Sequence, residues 1–181
     1  VGRVKDMSRM FDDANSFNSN LSHWSVENVE SMNSMFDGAY EFSSDLSRWS
    51  VGRVKNMRLM FNGASLFNSD VSQWNVGRVT DVAYMFARAS SFESDLSLWD
   101  VQHVVEMRSM FEDAYKFESD LSLWNTTSVT EMSGMFQNAY SFNSDISRWS
   151  VSNVEGSMLR MFKNASHFQD IDLGNWKLSA K

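Results

Sequence analysis

Large apolar side chains recur along this chain at a fixed interval. Trp24, Trp49, Trp74, Trp99, Trp124 and Trp149 stand 25 residues apart, and around each of them the string V-x-x-M-x-x-M-F-x-x-A-x-x-F-x-S-D-L-S-x-W-x-V returns. In the second copy its members are Val29, Met32, Met35, Phe36, Ala39, Phe42, Asp45, Leu46, Ser47, Trp49 and Val51. All 13 Met, 14 Phe and 7 Trp residues fall on these columns, so the abundance of Met and aromatic residues reads as repeated core and not as a promiscuous peptide groove. Exceptions are conservative: Val82 replaces a Met, Thr126 a Val, and Val71 and Ile146 the Leu.

Val29, Met32, Met35, Phe36 and Ala39 follow the spacing of a helical apolar stripe, which predicts a short helix in the first half of each copy. Asn28, Ser31, Thr80, Ser128, Thr130 and Asn153 are candidate N-caps, and Gly38, Gly63 and Asn138 lie near the far end of the stripe. The W-x-V segment after a polar S-D-L-S turn predicts a short strand or extended segment. The expected fold is therefore an α/β repeat solenoid of about seven turns, leucine-rich-repeat-like, forming one domain over residues 1–181. Each unit is too small to fold alone, since ordering costs about 1.5 kcal/mol per residue and each large apolar side chain returns roughly 1.5 to 3 kcal/mol. Stacking on neighbours supplies the rest. A parallel ladder at about 4.8 Å per turn predicts a rod roughly 34 Å long, against nearly twice that for an all-helical stack.

The last copy is irregular. One extra residue lies between Val154 and Met158 and another between Phe168 and Leu173, and Asn175, Lys177 and Lys181 make this end polar, as a capping repeat would be. The other end begins in mid-motif with Val1, so the expectation is a fragment of a longer chain, or an end covered by another molecule.

The motif M-F-x-x-A-x-x-F-N-S-D-L-S-x-W-x-V, clear from Met35 to Val51 and from Met135 to Val151, resembles the repeat of the BspA-like leucine-rich-repeat surface proteins. The resemblance covers essentially the whole chain. It implies an extracellular or cell-surface location and a role in adhesion or protein interaction without an enzymatic activity, and it carries over no catalytic residue. Glu93 and Glu118 depart from the usual Asn at positions that alter a surface and not the core.

Charge narrows the partners. Sixteen basic against 23 acidic side chains give a net charge of −7, with no basic cluster to displace phosphate counterions, which argues against nucleic acid. No apolar run is long enough to span a membrane. Without Cys there are no disulfides, thiolate metal sites or cysteine nucleophiles.

Because equivalent residues of successive turns lie side by side, every column is also a stripe. Asp45, Asp70, Asp95, Asp120 and Asp145, with Asn20 ahead of them and a parallel row of serines from Ser19 to Ser144, are candidate Ca²⁺ ligands; the alternative is that each Asp caps its own turn. No other cofactor is indicated. His23, His103 and His167 fall in three different columns and suggest no catalytic constellation. Beside the Trp column run His23, Arg48, Gln73, Leu98, Leu123 and Arg148, in which Leu98 and Leu123 form a candidate contact patch flanked by Arg48 and Arg148. Tyr115 and Tyr140, with Tyr40 further off, form another short stripe. Asn20, Asn125 and Asn164 open N-x-S/T triplets that a eukaryotic secretory route would glycosylate.

The leading expectation is a non-enzymatic surface scaffold that binds proteins or glycans, or whose ends stack head to tail into fibres. The alternative is a Ca²⁺- or carbohydrate-binding module built on the Asp and Ser stripe.

Overall fold

The computed structural model describes residues 2–155, 158–169, 173, 174 and 176. Successive copies lie on one another in register, but the helix and strand expected in each turn do not form. Among the described residues there is no α-helix and no β-strand. Each copy is an irregular coil of tight turns, in the second copy at 27–28, 33–38, 40–41 and 47–48, and copies are joined by single parallel bridges: Asp6 to Ser31, Ser31 to Asn56, Asn56 to Asp81, Asp81 to Glu106 and Glu106 to Glu131.

Backbone hydrogen bonding shows why the helix is lost. An α-helix returns every amide to the carbonyl four residues back. Here the amides alternate: Met35, Asp37 and Ala39 close local turns onto Met32, Ser34 and Phe36, at 3.1, 3.3 and 3.1 Å. The amides between them, Met32, Ser34, Phe36 and Gly38, reach the next coil at Asn56, Arg58, Met60 and Asn62, at 2.8 to 2.9 Å. Two left-handed residues per coil enforce this path. In the second coil they are Ser34 at φ 54° and Gly38 at φ 70°, and their equivalents continue through Leu59 and Gly63, Tyr84 and Arg88, Ser109 and Asp113, and Gly134 and Asn138. Left-handed backbone costs an L-residue about 1 to 2 kcal/mol, so Leu59, Tyr84 and Arg88 hold it only because the ladder clamps both sides. At Gly38 a side chain is excluded twice over, since a Cβ would also lie 2.6 Å from Asp13 Oδ1.

Successive tight turns still bring the chain back to the same face every three or four residues. Val29, Met32, Met35, Phe36 and Ala39 are therefore all fully buried, as a helical stripe would be, without a helix. The candidate N-caps also have different work. Asn28 Nδ2 donates to Gly2 O, Thr80 Oγ1 to Lys55 O, Ser128 Oγ to Gln102 O, Thr130 Oγ1 to Val105 O and Asn153 Nδ2 to Thr127 O, while the Ser31 hydroxyl pairs with that of Ser8. Every one of them ties its coil to the preceding one.

The core is one continuous cluster built on aromatic columns. Phe36, Phe61, Phe86, Phe111 and Phe136 stack with ring centroids 5.6 to 5.9 Å apart. A second Phe column, Phe42 to Phe142, lies against the first, and Trp49 to Trp149 form a third. Each indole is anchored across the stack: Trp49, Trp74, Trp99, Trp124 and Trp149 donate Nε1–H to the carbonyls of Leu21, Leu46, Val71, Leu96 and Leu121 at 2.9 to 3.1 Å. The W-x-V segment is thus held by a side-chain anchor where a strand ladder was expected. Asn175, Lys177 and Lys181, which suggested a polar cap, lie outside the described residues, as does Val1.

Candidate binding surfaces

The Asp and Ser columns are set by the turn that precedes each Trp. Asp45, Asp70, Asp95, Asp120 and Asp145 each accept the amide of the serine two residues on, at 2.9 to 3.0 Å, and Asn20 does the same with Ser22. The neighbouring serines bridge coils. Ser119 Oγ accepts the Leu96 amide at 2.8 Å and donates to Asp95 Oδ1 at 3.0 Å, and Ser144 does the same for Leu121 and Asp120. These bonds hold all five carboxyls below the usual aspartate range, chiefly through the amide and hydroxyl of the following serine, the hydroxyl leading at Asp70. Among the described residues no three His, Asp or Glu side chains converge on a common cation position.

A carboxylate whose folded pKa is depressed contributes stability above its unfolded value, 3.8, and loses it as the pH falls through the folded value. Thermal stability should therefore hold at neutral pH and fall below about pH 4. Asp37 works the other way, because burial raises its pKa, but it stands against these five and against Asp6, Glu30 and Glu131, which are lowered too. Replacing the five column aspartates by Asn, which already makes this turn at position 20, should flatten the acid limb; calorimetric melting across pH 2 to 7, a range of about five units, checks it.

Alongside this column lie shallow polar hollows. One of about 360 Å³ is lined by Asn18, Asn20, Ser22 and Asp45; one of about 450 Å³ by Asn68, Asp70, Glu93, Asp95 and Leu98; and one of about 460 Å³ by Glu118, Asp120, Asn143, Asp145 and Arg148. Among the described residues Leu98 and Leu123 are the most exposed large apolar ones, at 73% and 77%, and sit on adjacent coils of one column; Arg48 and Arg148 are exposed in the same column, Arg148 next to Leu123 and Arg48 two coils from Leu98. The columns on either side place Asp95, Asp100 and Asp120 around the leucine pair. Tyr115 and Tyr140 stack at 5.2 Å on an exposed face, with Tyr40 three coils away from Tyr115.

The histidines remain apart. His103 Nδ1 contacts Gly77 O at 2.9 Å and His167 Nδ1 contacts Tyr140 O at 2.6 Å, while His23 is exposed in the Leu98 column. Asn20, Asn125 and Asn164 are exposed; Asn125 accepts the amide and hydroxyl of Thr127, and Asn164 donates to Asn138 Oδ1.

One cluster has no counterpart in the sequence reading. Arg58 lies over the Tyr84 ring at 5.2 Å, and Arg108 Nη2 meets Glu131 Oε2 at 2.9 Å, beside a hollow of about 440 Å³ that Glu112 and Arg160 also line. These residues occupy variable positions of four columns, so periodicity carried no signal for them.

The geometry defines a repeat protein: stacked coils sharing one core, with conservative exchanges in the buried columns and the larger variation in outward ones. The chain belongs to the family described as "Mycoplasma protein of unknown function, DUF285", whose model matches twice in tandem, over residues 1–97 and 91–181. No curated protein matches. A solved structure titled "Crystal structure of TLR13-ssRNA13 complex" is similar at 10% identity with a TM-score of 0.27; the match covers 78% of this chain and 28% of that one.

Proposed function

We propose that this chain is a non-enzymatic scaffold, displayed at the cell surface or outside the cell, that acts through protein contacts made by its outward columns. The observation that carries the reading is the Leu98 and Leu123 pair, the most exposed large apolar side chains among the described residues, on adjacent coils of one column. Membership of the repeat family supports a scaffold, and the resemblance of the motif to BspA-like surface proteins supports location and adhesion.

The test places a photoreactive side chain at position 98 and illuminates intact cells of the source. A discrete protein adduct, lost in a chain that also carries Leu123→Asp, is the expected result. Both leucines are exposed, so the same change should move stability by no more than about 0.5 kcal/mol. No adduct at position 98, or a chain protected inside the cell from an impermeant label, contradicts the proposal.

A further inference from the structure

Two departures from the repeat fall on the same two coils. The position before each Trp holds His23, Arg48, Gln73 and Arg148, but Leu98 and Leu123 in two adjacent copies. Five residues earlier stand Asn18, Ser43, Asn68 and Asn143, but Glu93 and Glu118 in the copies that carry the leucines. A third column, Ser25, Ser50, Asn75, Asn125 and Ser150, has a carboxylate at Asp100, beside Leu98. Leu98, Leu123, Glu93, Glu118 and Asp100 are all exposed, so none of these exchanges serves the core.

Together they change the surface in one direction. Where the column holds arginine, the cation sits close enough to the turn-capping aspartate to help lower its pKa, as Arg48 does for Asp45 and Arg148 for Asp145. Asp95 and Asp120 have leucine in that place, and the charge that Asp95 meets is that of Asp120, which opposes its ionisation. Glu93, Asp95, Asp100, Glu118 and Asp120 thus surround two apolar side chains. Against them stand Lys116, 3.1 Å from Glu93, and Arg148 at the edge, next to Leu123 and Asp145. Asp100 and Glu118 take part in no ion pair among the described residues. Asp70, Glu93, Asp95 and Leu98 line one hollow of about 450 Å³, and Glu118 and Asp120 line another of about 460 Å³.

We infer that this patch docks a basic segment of a protein partner, with apolar side chains laid on Leu98 and Leu123 and lysine or arginine side chains in the two acidic hollows. The carboxylates are spread along the patch, and among the described residues no three converge on one cation position. They suit several cations carried on one chain and not a single metal ion. The leucines add apolar area that leaves water on binding, and the carboxylates select the sign of the partner.

This rests on the scaffold reading and names the chemistry of the partner at the same surface. The probe is a fluorescein-labelled peptide in which two leucines are flanked on each side by lysines, titrated with the full chain and followed by anisotropy. It should bind roughly tenfold tighter than the same peptide with Glu for Lys or with Ser for Leu, and weaken as salt is raised. Leu98→Gln with Leu123→Gln, and separately Glu93→Asn with Glu118→Asn, should each lower affinity by roughly tenfold. Both pairs copy residues that the neighbouring coil already holds, Gln73 and Asn68, so the fold is kept. Glu27→Gln with Glu41→Gln removes the same charge from exposed positions two coils away and should change affinity by less than about twofold. A lysine peptide that binds no tighter than its glutamate counterpart, or that binds the Gln or Asn variants as tightly as the unmodified chain, would overturn the inference. A protein adduct at position 98 whose cross-linked segment is acidic would leave the scaffold reading standing and overturn this one.

Discussion

Phe86→Ala should cost about 3 to 5 kcal/mol. The ring lies 5.7 Å from Phe61, 5.9 Å from Phe111, 3.9 Å from Phe92 and 6.2 Å from Trp99, all of them buried. Truncation leaves a hole that three coils share. The ladder fixes the spacing of those coils on both sides, so the cavity has little freedom to collapse. Phe11→Ala makes the same chemical change in the same column, but the ring is half-exposed at the end of the stack and should cost well under half as much. Urea unfolding of the two variants gives the comparison. Equal losses would mean that the Phe column is not continuous.

The second large effect is polar. Ser119→Ala should cost about 1 to 3 kcal/mol even though it removes a single oxygen. That oxygen receives the buried Leu96 amide and donates to Asp95, and no other group stands ready to satisfy the amide. Ser19→Ala in the same column is its control: Ser19 is exposed, so its loss should be within about 0.5 kcal/mol of zero. Melting of both variants checks the pair. A cost at Ser119 no greater than at Ser19 would show that the serine column does not hold the coils together.

The contrast between these columns explains what the sequence could and could not reveal. Burial was legible because side-chain direction depends only on the chain returning to the same face, and Val29, Met32, Met35, Phe36 and Ala39 announce that return. The path between them was not. A helix and a run of tight turns with left-handed corners share nearly the same apolar spacing, and the corners are filled by residues as unlike as Leu59, Tyr84 and Arg88, which carry no turn signature. The visible hint lay in Gly38, Gly63 and Asn138. They do adopt left-handed backbone, as a helix end would, but they stand inside a continuing turn ladder.

The surfaces divide in the same way. The turn-capping role of Asp45 to Asp145 was open to local chemistry, because an Asx turn is decided within three residues. The Ser119 to Leu96 bond and the Arg58, Tyr84, Arg108 and Glu131 cluster depend on which residue of a neighbouring coil falls opposite, and that follows only from the register. Leu98 and Leu123 were identified by being apolar where the other copies carry His, Arg or Gln, a departure from the repeat that the repeat itself exposes.

The claim on which every column rests is that each copy is a helix-free coil whose alternate amides reach the next copy. Backbone chemical shifts and amide–Hα couplings of the labelled chain test it most directly. Positive φ is expected at Leu59, Tyr84, Arg88, Ser109 and Asp113, separated by right-handed turn residues, with no helical run between Val29 and Ala39 or in the equivalent segments. An unbroken series of helical shifts across Val29 to Ala39 would contradict it.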